Sequence, residues 1–177
     1  MAAAYSSSNP ARKKLYDVFI NFRGEDTRNI FTDHLYKAFA EKKIKAYLDD
    51  ERLEKGAEIS SKLMKAIEES KISVVILSKN FATSSWCLEE LRHILQCKET
   101  DEQIVVPIFY HVDPSHVRKQ QESYAAAFTD LEQRFHEEMD KVQQWRKALT
   151  AVSNLSGWDS SVFKYFLITY NFLVWIY

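Results

Sequence analysis

The sequence predicts an α/β domain built on an open parallel sheet with helices on both faces, and three observations lead there. Short apolar, β-rich runs alternate with stretches of helical spacing along most of the chain. The run over residues 72–77 is apolar apart from Ser73, as expected of a central parallel strand covered on both faces. With 177 residues, 46% of them hydrophobic and 28% charged, the chain is of single-domain size. A domain of that size buries about 70% of its unfolded surface without a disulfide or metal.

Each element has its own signal. Residues 1–14 are small and polar with a basic end, Arg12, Lys13 and Lys14, and read as a flexible leader. Residues 16–22 form the first strand, closed by Arg23 and Gly24; Asp26 or Thr27 then offers an N-cap for a helix whose stripe is Phe31, Leu35, Ala38 and Phe39. A short strand over 45–49 leads into a charged loop, 50–58, that contains Gly56. A helix over 60–69 follows, carrying Leu63 and Ile67. The central strand at 72–77 passes through a loop, 78–85, to a helix over 86–98. Residues 104–110 make a fourth strand, where Pro107 removes one ladder donor and favours a place near the sheet edge. Beyond an Asp113-Pro114 turn, residues 124–135 and 141–153 have helical spacing, the latter through Val142, Trp145, Leu149 and Val152, with Gly157 as the stop. Right-handed crossovers between such strands give a five-stranded sheet in the flavodoxin-like order 2-1-3-4-5.

Composition removes several function classes. The 24 basic and 25 acidic residues leave a net charge of -1, which argues against a broad nucleic-acid footprint. Three glycines cannot build a glycine-rich phosphate loop, and there is no G-x-G-x-x-G, P-loop or H-E-x-x-H pattern. Cys87 and Cys97 fall on one predicted helix, too far apart to bridge, and neither belongs to a C-x-x-C pair, so free thiols and no metal are expected. Residues 1–10 lack the apolar run of a cleavable signal, which with two free thiols fits a reducing compartment inside the cell.

In a sheet of this order, ligands bind beyond the carboxyl ends of the strands where the order reverses, between the first and third strands. That selects the loops at 22–26 and 78–86. Arg23 offers five fixed donors for a phosphate, or is a surface arginine; Gly24 permits close backbone approach or positive φ, or is a turn glycine. Trp86 presents a flat face to a base, or anchors the helix by packing. Glu89 and Glu90 fall in the first turn of the following helix, where the dipole favours carboxylates whatever their role. Leu88, Leu91, Ile94 and Leu95 define that helix's core stripe. At about 100° per residue, Glu90 flanks the stripe while Glu89 points nearly opposite. Glu90 is therefore expected at the crevice and Glu89 in solvent.

At these residues a family is recognisable. Tyr16-Asp17-Val18-Phe19-Ile20-Asn21-Phe22-Arg23-Gly24-Glu25-Asp26-Thr27-Arg28 resembles the opening motif of plant Toll/interleukin-1 receptor (TIR) domains. Ser84-Ser85-Trp86-Cys87-Leu88-Glu89-Glu90-Leu91, Pro107-Ile108-Phe109-Tyr110-His111-Val112-Asp113-Pro114-Ser115 and the stretch 145–158 are similar to further motifs of that family, so the likeness covers 15–159. The resemblance implies a flavodoxin-like fold and cleavage of NAD⁺ or NADP⁺ in plant immunity, with the dinucleotide as substrate and no cofactor. It implies that Glu90 is catalytic, that Phe22, Arg23 and Gly24 line the nucleotide pocket, and that Trp86 borders nicotinamide or adenine. It implies self-association with other TIR domains. His34 would lie in an interface where the family's Ser-His pair is here Asp33-His34, and Gly56 in a loop that adjusts the pocket. Downstream, the nucleotide products would act on lipase-like immune regulators, in the cytoplasm or nucleus. The rival reading is a non-catalytic adaptor that works by TIR–TIR pairing.

Residues 160–177 depart from the pattern. From Val162 to Tyr177 the chain is apolar and aromatic, interrupted by Lys164 and Asn171, and shorter than the ~20 residues of a spanning helix. A TIR-only or truncated protein is the expectation here, with the tail a packed element or an unselected extension ahead of a membrane anchor.

Overall fold

The computed structural model describes residues 14–48 and 61–161. Gly56 and the tail beyond Ser161 lie outside the described residues. Five strands, β1 Tyr16–Phe22, β2 Ala46–Leu48, β3 Ser70–Leu77, β4 Ile104–Phe109 and β5 Trp158–Asp159, form one sheet in the order β2-β1-β3-β4-β5. Every pairing is parallel. The topology is the one the alternation of strands and helices predicts.

Side-chain alternation along β1 and β3 divides the core into two layers. Val18, Ile20, Val74 and Ile76 point to one face, where a helical stretch covers them with Phe31, Leu35 and Phe39. That stretch consists of α1 Gly24–Thr27, a π-helical turn over Arg28–Thr32, and α2 Asp33–Glu41. Phe19, Val75 and Leu77 point to the other face. There they meet side chains of α3 Ser61–Glu68, α4 Ser85–Thr100, α6 Ser123–Arg134 and α7 Met139–Ser153. α4 is the inner helix of this layer, with Cys87, Leu88, Leu91 and Ile94 all inaccessible to solvent.

The structure differs from the sequence expectation at four places. Helix begins at Gly24, with Arg23 rather than Asp26 or Thr27 at the cap position and no side-chain cap. The Asp113-Pro114 turn starts a helix, α5 Pro114–Lys119: Asp113 caps it by accepting from the Ser115 amide at 2.7 Å, and the proline takes the first helical position, where an N–H is not needed. α7 ends at Ser153, four residues before Gly157. The fifth strand, which no sequence run marked, is only Trp158–Asp159, and it pairs with Ile108 and Phe109 alone. Beside Pro107 the outer flank of β4 is thus left without a β5 partner, which is how the sheet accommodates the proline.

Gly157 is a close-approach glycine. A Cβ there would stand 2.3 Å from the Pro107 carbonyl oxygen and 2.6 Å from its ring Cγ. Gly157→Ala should therefore force β5 off β4 and cost about 1–3 kcal/mol of stability, read as a lower urea midpoint. An unchanged midpoint would contradict the close packing.

Candidate active site

The site is organised by a buried asparagine at the end of β1. Asn21, fully inaccessible, donates from Nδ2 to the Cys87 carbonyl at 3.1 Å, and the Cys87 thiol in turn donates to the Phe22 carbonyl at 3.5 Å. Ser84 caps α4 by accepting from the Cys87 amide at 3.2 Å. The first turn of α4 is thereby tied to the last two residues of β1. Glu90 follows Cys87 by three residues, so both side chains lie on the α4 side that faces β1. Glu90 is 1% exposed. Ionisable side chains are rarely buried to that degree without a partner or a function.

Because α4 starts at Ser85, Glu89 and Glu90 are its fifth and sixth residues, and its first turn carries no acid. The dipole acts within the first turn, so it does not account for either carboxylate. The expectation that Glu89 faces solvent is corrected as well. Its Oε2 accepts from the indole Nε1 of Trp145 on α7 at 2.7 Å, and its Oε1 accepts from Arg92 Nε at 2.9 Å and Nη2 at 2.5 Å. Burial pushes the Glu89 carboxyl up, but the bonds from Arg92 and Trp145 outweigh it and hold it below the ordinary value of 4.5.

A second tie joins the loops after β1 and β3. The Asp26 carboxylate accepts from Ser78 Oγ at 2.6 Å, from the Asn80 amide at 3.0 Å and from Asn80 Nδ2 at 3.2 Å. The same loop is held from α6, where the Tyr124 hydroxyl donates to the Ser78 carbonyl at 2.7 Å and Ser123 Oγ to the Lys79 carbonyl at 2.6 Å. Burial, with the Asp26 charge nearby, pushes the Tyr124 hydroxyl up, so it stays a donor. Asn21 and Asp26 were not anticipated as organisers of the site.

Around these ties stand the other candidate residues. Arg23 is partly covered; its Nη2 bonds Glu25, while Nε stands 3.8 Å from Asp26 Oδ1 and makes no hydrogen bond among the described residues. Gly24 is helical rather than at positive φ, and a Cβ would come no closer than 3.5 Å to Arg28 Nε, so neither strain nor crowding requires glycine there. Phe22 is fully buried beneath the Arg28 guanidinium, 5.1 Å from its ring centre, and offers the crevice backbone only. Trp86 is half-buried against the α3–α4 core, and its Nε1 is enclosed with no acceptor among the described residues. His34 is exposed on α2, which also exposes Tyr36, away from the crevice loops. A hollow of about 480 Å³ between α4 and α7, bordered by Arg92, Leu95, Lys98 and Lys147, is a surface groove farther along α4 and not part of this crevice.

The TIR domain family model matches residues 15–166. The chain belongs to the TIR domain family. It is 51% identical over 152 residues to TMV resistance protein N of Nicotiana glutinosa, covering 86% of this chain and 13% of that protein. It is 52% identical over 158 residues to disease resistance protein RPV1 of Vitis rotundifolia, covering 88% of this chain and 11% of that one. The chain thus spans about an eighth of the length of these relatives. Among solved structures, the TIR domains of the activated Roq1 resistosome, which directly recognises the pathogen effector XopQ, share 50% identity and superpose with a TM-score of 0.82 over 92% of this chain and 99% of that one. Its sequence is thus similar to the TIR domains of plant disease resistance proteins.

Two outcomes follow from the ties. Asp26→Ala should cost about 2 kcal/mol, since bonds to an ionised acceptor are lost, and should speed hydrogen exchange at the Asn80 amide. Unchanged exchange there would contradict the clasp. Glu89 has a lowered folded-state pKa, so its ionised form stabilises the fold above pH 4.5 and that contribution is lost as pH falls through the lower folded value. The stability gap between wild type and Glu89→Gln should be constant near neutrality and shrink with acidification below about pH 4; a gap independent of pH would contradict it.

Proposed function

We propose that this TIR domain is an NAD⁺ nucleosidase of plant innate immune signalling that cleaves NAD⁺ or NADP⁺ when it self-associates. The observation that carries the reading is Glu90, 1% exposed on the α4 turn that Asn21 and Cys87 tie to β1. At this end the buried polar atoms Asn21 Oδ1 and Trp86 Nε1 lack hydrogen-bond partners among the described residues, and a polar substrate would supply what they need.

The chemistry asks for little more than a placed carboxylate. The bond between ribose C1′ and the nicotinamide nitrogen breaks through an oxocarbenium-like state, and its electron pair leaves with nicotinamide. The leaving group departs from a cationic pyridinium as a neutral molecule, so no general acid is needed. Glu90, ionised, stabilises the cationic ribose and holds its hydroxyls; water adds at C1′ and gives its proton to solvent, yielding ADP-ribose-type nucleotides. Arg23 meets the diphosphate with its fixed donors, Trp86 stacks on nicotinamide or adenine, and Phe22 and Gly24 contribute backbone at the pocket wall.

Assembly completes the site by covering the loop end of the sheet and excluding water. His34, with the exposed Ile30 and Tyr36, offers a pairing surface. The nucleotide products act on lipase-like immune regulators in the cytoplasm or nucleus. Among the described residues, no helix is long and apolar enough to cross a membrane. The exposed apolar side chains at Ile30, 59% accessible, and Tyr36 favour a second reading, an adaptor that works by pairing alone.

Nicotinamide release by concentrated, assembled protein separates the two. Wild type should turn over NAD⁺ and Glu90→Ala should be slower by about 100-fold or more. Equal turnover would remove Glu90 from the chemistry, and no turnover in any assembled state would leave the adaptor.

A further inference from the structure

We infer that Glu89 is a positioning residue, which fixes the turn of α4 carrying Glu90 by bonding it to α7. The inference rests on the reading of Glu90 as the catalytic carboxylate. Glu89 and Glu90 are adjacent, so about 100° separates their directions around α4 and any rotation of the helix moves both. Glu90 looks toward β1, while Glu89 reaches the indole of Trp145, 56 residues on, at 2.7 Å.

The tie is built to be specific. Trp145 is 1% exposed, and its buried indole N–H has Glu89 Oε2 as its acceptor. The other carboxylate oxygen is held by the Arg92 guanidinium of the same helix, so the carboxylate is fixed from both sides. On the β1 side, Asn21 bonds the Cys87 carbonyl. The segment from Cys87 to Glu90 is therefore held at both ends of a single turn, by a strand through Cys87 and by a helix through Glu89. Loss of the α7 bond leaves α4 free to roll about the remaining tie, which displaces Glu90 from the ribose without touching substrate.

The test uses Glu89→Ala, Glu89→Gln, Trp145→Phe and the double variant Glu89→Ala with Trp145→Phe. They are assayed for nicotinamide release, and hydrogen exchange is followed at the amides of residues 88–93. Glu89→Ala and Trp145→Phe should each lower kcat about tenfold with KM nearly unchanged. The double variant should be no worse than either single one, because both remove the same bond. Glu89→Gln keeps a carbonyl oxygen for the indole and should recover most of kcat. Exchange at 88–93 should rise together in Glu89→Ala and Trp145→Phe and stay near wild type in Glu89→Gln. Wild-type kcat in Glu89→Ala, or single effects that multiply in the double variant, would overturn the assignment. A wild-type protein without turnover would instead defeat the nucleosidase reading. The exchange pattern then still decides the tie, since equal exchange in all variants would overturn it.

Discussion

The bond from the buried Asn21 side chain to the Cys87 carbonyl is the constraint on which the site's geometry depends. A strand ending and a helix beginning 66 residues apart in sequence have no local reason to hold a fixed relation. Here a side-chain amide inside the core grips the helix's first turn through its backbone, and the Cys87 thiol returns a bond to the strand. The grip fixes where α4 starts relative to the crevice, and the 3.6-residue period of the helix then decides which of two neighbouring glutamates turns toward β1.

Two other polar ties act on the same region from different directions. Asp26 joins the loops that flank the topological switch point, and the Glu89–Trp145 bond joins α4 to α7. Each is a carboxylate that accepts hydrogen bonds from two separate residues, and bonds to an ionised acceptor are stronger than neutral ones. The consequence is that α4 is bonded to β1 and to α7, and the loops after β1 and β3 to one another. That suits a reaction whose barrier falls through placement of charge rather than through proton transfer.

The fold was legible because hydrophobic period carries it. The runs at 16–22 and 72–77 and the stripes through Leu63, Leu88 and Trp145 record burial directly, and strand order follows from chain connectivity. Glu90's burial fits the same pattern, since its angle to Leu88 and Leu91 puts it beside the core stripe and it is 1% exposed. Three of the misreadings share one cause, which is competition from partners distant in sequence. Asp26 reads locally as an N-cap, but Ser78 and Asn80 claim its oxygens. Glu89 reads as solvent-facing until α7 covers it. Gly157 reads as a stop but exists to clear Pro107. Helix termination was hidden because glycine is not used for it: Lys43, at φ 59°, closes α2 with the Ile44 amide bonded to the Phe39 carbonyl at 2.9 Å.

The most direct measurement of the central claim is a structure of the assembled protein with a non-cleavable NAD⁺ analogue. The account predicts the dinucleotide in the crevice beside β1, with a Glu90 oxygen about 3 Å from a hydroxyl of the nicotinamide ribose and the Asn21–Cys87 bond intact. A dinucleotide bound elsewhere, or a ribose out of Glu90's reach, would contradict it.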